Sequence, residues 1–161
     1  MMYMHTSMPG PKQTLRKTLV ADARAAVDGC AGWNARLAAR RITAFLNRRM
    51  QGSGLSLAQF SLMSQIAVAR DDTLSELAER IGLDQSTLSR NLQVLEAAGL
   101  VEIATGDRDA RRRSVRLTEK GALKLEAGLA DWKRAHGELA KRLDPAAARR
   151  LALAAEALEE G

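Results

Sequence analysis

The sequence predicts a mainly α-helical fold carrying one small β-hairpin, and three observations predict it. Aromatic residues make up only 3% of the 161-residue chain, which is dominated by Ala, Leu and Arg, a composition that favours helix. Apolar residues recur at helical spacing along most of its length. In one place the period changes: Leu100-Val101-Glu102-Ile103-Ala104 and Ser114-Val115-Arg116-Leu117 alternate apolar and polar residues, as half-buried strands do.

The elements follow in order. The first eleven residues, 1–11, lack the apolar core of a signal peptide and carry Pro9-Gly10-Pro11, so they read as a frayed tail. A helix is expected from about Lys12 to Asp28, with Leu15, Leu19, Ala23 and Ala26 on one side, and Gly29 and Gly32 mark a break around Cys30. A second helix runs from about Trp33 to Met50, until Gln51-Gly52-Ser53-Gly54 stops it. Ser56 and Gln59 form a capping-box pair ahead of Phe60, Met63, Ile66 and Ala67, and Arg70-Asp71-Asp72 closes that helix.

Leu74, Leu77, Ala78 and Ile81 then make the apolar face of a short helix, stopped by Gly82. Thr73 suits its N-cap, with Glu76 as capping-box partner. Asp84 caps the next helix, whose buried stripe is Leu88, Leu92 and Leu95 and which Gly99 ends. After the two strands and the run between them, read as the hairpin loop, Thr118 caps a long helix to about Leu143. Asp144-Pro145 starts the last one, to about Glu159.

The run joining the strands carries the chemistry. From Gly106 to Thr118 there are five arginines, Arg108, Arg111, Arg112, Arg113 and Arg116, and two aspartates, Asp107 and Asp109. Just upstream, two short helices meet at a Gly-containing turn, which is a helix–turn–helix unit. A basic hairpin joined to such a unit is the sequence form of a winged helix–turn–helix domain that binds DNA. The net charge of +6 suits a polyanionic partner.

The second helix of the pair is expected to enter the major groove and present Gln85, Ser86, Thr87, Ser89 and Arg90 to base edges. Gln and Arg pair bidentately with adenine and guanine. Ser and Thr more often hold phosphates, and the helix N-terminus itself favours one. A polar helix face alone is commonly just a solvated face; the adjacent arginine hairpin is what turns this one toward DNA. Arg108, Arg112, Arg113 and Arg116 are phosphate-contact candidates, with an exposed, solvated loop as their alternative.

These residues resemble the MarR family of bacterial winged-helix transcription regulators. The resemblance is close from about Leu55 to Gly121 and looser in the flanking helices. It is carried by Leu55-Ser56-Leu57-Ala58-Gln59-Phe60, Ser75-Glu76-Leu77-Ala78-Glu79-Arg80-Ile81-Gly82, Ser86-Thr87-Leu88-Ser89-Arg90 and Leu95-Glu96-Ala97-Ala98-Gly99-Leu100-Val101. The family's wing signature completes it: Asp109-Ala110-Arg111 followed after five residues by Leu117-Thr118.

The resemblance implies an obligate homodimer on a palindromic double-stranded operator, one winged helix per half-site. Residues 12–54 and 119–161 would then be dimerisation helices around the winged helix–turn–helix of 55–118, all within one structural domain. It also implies that Arg111 is the arginine inserted into the minor groove, where a narrow groove concentrates negative potential, and that Asp109 orients its guanidinium. It further implies that Thr73-Leu74 pairs as a short third strand with the wing, making Ser75 the helix cap.

By the same resemblance, a small aromatic or phenolic effector is expected between the dimer lobe and the DNA lobe. Trp33, Arg36, Met63 and His136 are candidate lining residues. Cys30 is first a small packing residue at the dimer interface and second a redox-sensing thiol, for which a helix start or nearby cations must lower its pKa.

No enzyme is expected, because no nucleophile–base set, P-loop, H-E-x-x-H or dinucleotide fingerprint is found. No cofactor is expected, and His5, His136 and Cys30 are too few for a structural zinc site. No apolar run reaches the roughly 20 residues of a membrane span. The lone cysteine excludes an intrachain disulfide framework and fits a cytoplasmic protein, working at the nucleoid. The reading is therefore a homodimeric transcription regulator, a repressor relieved by a small ligand or by oxidation. The alternative is a winged-helix protein–protein interaction module that does not bind DNA.

Overall fold

The structure is a computed structural model that describes residues 17–69, 73–106 and 109–158; for Lys17, Thr105, Gly106 and 109–113 it describes the backbone alone. The chain divides into two units, Met1–Arg41 and Ile42–Gly161.

In the first unit, α1 spans Lys17–Gly29 and α2 begins at Ala31, continuing to Arg49 in the second unit. The break between them is the single residue Cys30. Gly32, expected to share in that break, lies inside α2, whose first turn closes with Asn34 N donating to Cys30 O at 3.0 Å. The Asn34 amide also reaches back to Asp28 O at 2.9 Å, tying the end of α1 to the start of α2. No described side chain of α1 is buried, and Leu19, Val20 and Val27 lie exposed along it.

In the second unit, Leu46 and Met50 enter the core, and a 3₁₀ turn at Gln51–Ser53 leads through Gly54, at φ +66°, to α3, Leu57–Val68. The expected capping box is made in full: Ser56 Oγ accepts from Gln59 N, and the Gln59 side chain accepts from Ser56 N. The buried face of α3 is Phe60, Leu62, Met63 and Ile66. Ala67, expected inside, is exposed, because the helix is covered on the side where Leu62 points.

α4 spans Leu74–Ile81 and α5 spans Gln85–Ala97. Thr73 caps α4 in a capping box with Glu76, so the cap is Thr73 and not Ser75. Thr73 also makes a lone antiparallel bridge to Ser114, the part of the expected third strand found among the described residues. One extended residue can do both, since the N-cap position has β-region backbone.

The hairpin is longer than its alternating segments. β1 runs Val101–Gly106 and β2 runs Asp109–Leu117, antiparallel, in a register from Val101↔Leu117 to Thr105↔Arg113 with an irregularity at Gly106. Arg111, Arg112 and Arg113 therefore belong to a strand and not to a loop. Strand pairing satisfies backbone groups whatever the side chains are, so a charged run hides a strand from a hydrophobicity pattern.

α6 spans Glu119–Ala140, capped by Thr118, and α7 spans Pro145–Glu156, capped by Asp144; both end about three residues short of expectation. The core of this unit joins Leu77 of α4, Leu88, Leu92 and Leu95 of α5, Leu100, Val101 and Val115 at the hairpin base, and Leu125, Ala135 and Leu139 of α6 to the α3 residues. Asp131 is buried on α6, where its carboxylate accepts from Ser53 N and from the Arg134 guanidinium. A Cβ on Gly52 would come within 2.9 Å of it. α7 has no buried residue and exposes Leu151 and Leu153.

Candidate nucleic-acid interface

The second helix of the helix–turn–helix is α5, and its two faces separate cleanly. Leu88, Leu92 and Leu95 are buried, while Gln85, Ser86, Ser89, Arg90 and Gln93 are exposed and Thr87 is half-buried. Burial of the leucine stripe fixes the rotation of the helix, and with it the direction of the polar side chains. The turn before it needs Gly82, at φ +63°, whose N–H bonds back to Ala78 O and Glu79 O.

The start of α5 is already wired. Asp84 Oδ1 accepts from Thr87 N at 2.9 Å and from Ser86 Oγ at 2.6 Å, and Oδ2 accepts from Thr87 Oγ1 at 2.7 Å. Those bonds, the Ser86 hydroxyl first, hold the Asp84 carboxyl well below the usual carboxylate range. A hydroxyl has one proton. Ser86 and Thr87 have given theirs to Asp84, so outward they offer lone pairs only.

In this arrangement the Ser86 and Thr87 hydroxyls already donate to Asp84, so neither has a proton free for the phosphate expected at the helix N-terminus. A phosphate oxygen needs a donor, and here the anion of Asp84 occupies the N-terminus. Acceptor-only hydroxyls suit the amino groups of cytosine N4 or adenine N6.

Gln85 Nε2 donates to Ser75 Oγ at 3.0 Å, which holds its side chain against α4. Ser89 and Arg90 are exposed and have no hydrogen-bond partner among the described residues. Of the residues named from the sequence, these two are the ones at liberty to meet a base. Ser75 enters the sequence reading only as a helix cap, since nothing in the spacing of Ser75 and Gln85 announces a bond across the turn. The Asp84-x-Ser86-Thr87 arrangement did carry a signal, a capping carboxylate with hydroxyls two and three residues on.

In the hairpin, the backbone of Asp109, Arg111, Arg112 and Arg113 is in β2, and Arg108 lies outside the described residues. Arg116, a phosphate candidate, is instead paired across the ladder with Glu102 at 2.6 Å, its register partner.

The remaining candidates are placed as follows. Trp33 and Arg36 are exposed on α2 in the first unit, with Arg40 5.6 Å from the Trp33 ring centroid. Met63 is 0% exposed in the core of the second unit. His136 is half-buried against Trp132, ring centroids 4.2 Å apart, and burial pushes its pKa down. Cys30 is an exposed free thiol. Among the described residues no cluster of His, Cys, Asp or Glu could hold a metal ion, and no helix is long and apolar enough to cross a membrane.

A helix–turn–helix with a polar second helix, followed by an antiparallel hairpin that carries arginines, defines a winged-helix DNA-binding protein. The model of the MarR family matches residues 53–112. The transcriptional regulator MosR of M. tuberculosis is 33% identical, with 84% of this chain covering 99% of that one at a TM-score of 0.72. Its structure in complex with DNA is 35% identical, covering 81% of this chain and 97% of that one, at a TM-score of 0.73.

The HTH-type transcriptional regulator PetP of Rhodobacter capsulatus is 42% identical over 62 residues, 38% of this chain and 37% of PetP. The matched stretches take in less than half the length of the curated relatives. This chain belongs to the MarR family, whose members among these relatives are transcription regulators and not enzymes.

Proposed function

We propose that the protein is a homodimeric, sequence-specific regulator of transcription, each subunit placing α5 in the major groove of one half of a palindromic operator. The observation that carries this is the α5 surface: a rotation locked by three buried leucines, with Ser89 and Arg90 exposed on the polar face beside Gln85, Ser86 and Thr87. The similarity to a MosR structure in complex with DNA supports it. Arg90 reads one base, and Arg111, oriented by Asp109, enters the minor groove at the hairpin, with Arg108, Arg112 and Arg113 toward phosphates.

The dimer reading rests on two helices without a buried side. α1 exposes Leu19, Val20 and Val27 at helical spacing, and α7 exposes Leu151 and Leu153; a helix with exposed apolar side chains is stabilised when a partner covers them. The regulator acts as a repressor in the cytoplasm. It is released when a small aromatic ligand, or oxidation at Cys30, favours a dimer with the wrong spacing of its two α5 helices; the shift is limited by the ligand's differential affinity for the two states. The test is a gel shift on the DNA upstream of its own gene across a salt series. A palindrome-dependent shift that weakens steeply with salt supports the proposal, and the absence of any shift overturns it.

A further inference from the structure

We infer that Thr118 and Lys120 are positioning residues for DNA reading: they bolt the C-terminal end of α5 to the first turn of α6 and so set the angle of the reading helix. The inference rests on the proposal that α5 reads DNA. Three successive carbonyls follow the last turn of α5, and each is held from the start of α6. Ala98 O accepts from Lys120 Nζ at 2.7 Å, Gly99 O from Thr118 Oγ1 at 2.7 Å, and Leu100 O from Thr118 N at 3.1 Å.

The Thr118 hydroxyl is used twice. Its proton goes to Gly99 O, while its lone pair accepts Gly121 N at 2.9 Å, the cap of α6. One side chain therefore begins α6 and closes it on the end of α5. Gly121 completes the joint: a Cβ there would lie 1.9 Å from Leu100 O, so only glycine permits the approach. The Lys120 ammonium also sits where the α5 dipole is negative.

The joint is at one end of α5 and the DNA-facing residues are at the other. With 13 residues, α5 is about 20 Å long, so a tilt of about 10° at the joint displaces Gln85 by about 3 Å. That is close to one base-pair step of roughly 3.4 Å. A loosened joint therefore blurs the spacing between the two reading helices of a dimer before it abolishes contact.

The test selects half-sites from random-sequence duplex DNA, then measures binding to inverted repeats with the spacer lengthened or shortened by one base pair. Wild type is expected to discriminate the selected spacing by about tenfold, equivalent to roughly 1.4 kcal/mol. Lys120→Met is expected to lose most of that discrimination at an unchanged salt slope, Lys120→Arg to keep it, and Thr118→Val to behave as Lys120→Met. Amide hydrogen exchange of residues 98–101 without DNA is expected to quicken in the same two variants.

A uniform loss at every spacing, or a salt slope lowered by one ion, makes Lys120 a structural or phosphate-contacting residue and overturns the inference. If wild type selects no half-site, the DNA-reading proposal fails by itself. Exchange then decides the joint, and unchanged exchange at 98–101 overturns it.

Discussion

The tasks proposed for Arg90 and Arg111 differ physically, and single substitutions separate them. Arg90→Ala is expected to cost about 1–3 kcal/mol at one base position and little elsewhere, measured by affinity across single-base operator variants. A loss shared equally by all sequences would make it a phosphate clamp. Arg111→Ala is expected to weaken binding and to lower the salt slope by about one phosphate-equivalent.

Asp84 acts differently from both. Its pKa is depressed by the Ser86 and Thr87 hydroxyls and the Thr87 N–H. Its contribution to stability is thus full above the unfolded value near 3.9 and is lost as pH falls through the folded value. The gap in urea midpoint between wild type and Asp84→Asn is expected to be constant from neutral pH down to about 4 and to narrow below it. A gap that ignores acid means the carboxylate's bonds do not contribute. At this scale the sequence places these side chains on one face of α5, and the structure adds that the Ser86 and Thr87 hydroxyls donate to Asp84. Residue type announces that a hydroxyl is present; only the geometry of Asp84 decides where its proton points.

At the scale of elements, the sequence was most legible where a local rule is sufficient. The Ser56–Gln59 and Thr73–Glu76 capping boxes, the Asp84, Thr118 and Asp144 caps and the Gly82 stop are interactions within four residues, and all are present. It was least legible where long-range pairing decides. β2 extends through Arg111–Arg113 because β1 supplies its partners, and Gly32 stays helical despite its propensity. The α5–α6 joint and the Asp131 tie to Ser53 span 18 to 78 residues of separation and leave no periodic trace.

That tie has a measurable worth. Asp131→Ala leaves the buried Ser53 N–H without its acceptor and is expected to cost about 1–3 kcal/mol of unfolding free energy by urea titration. An unchanged midpoint would show the contact to be incidental.

For the whole molecule, the decisive feature is surface left uncovered. Among the described residues α1 and α7 have no fully buried side chain, yet Leu19, Val20 and Val27 of α1 recur at helical spacing and α7 exposes Leu151 and Leu153. In the proposed dimer two copies would cover these surfaces and carry two α5 helices, which would call for half-sites about one helical turn apart, roughly 10 base pairs.

The most direct measurement is the mass of the protein–DNA complex by sedimentation on the inverted-repeat duplex selected from random sequence, beside a scrambled duplex of equal length. Two subunits per selected duplex are expected, with the complex on scrambled DNA lost first as salt rises. One subunit per duplex, or equal affinity for both duplexes at every salt concentration, would contradict the proposed function.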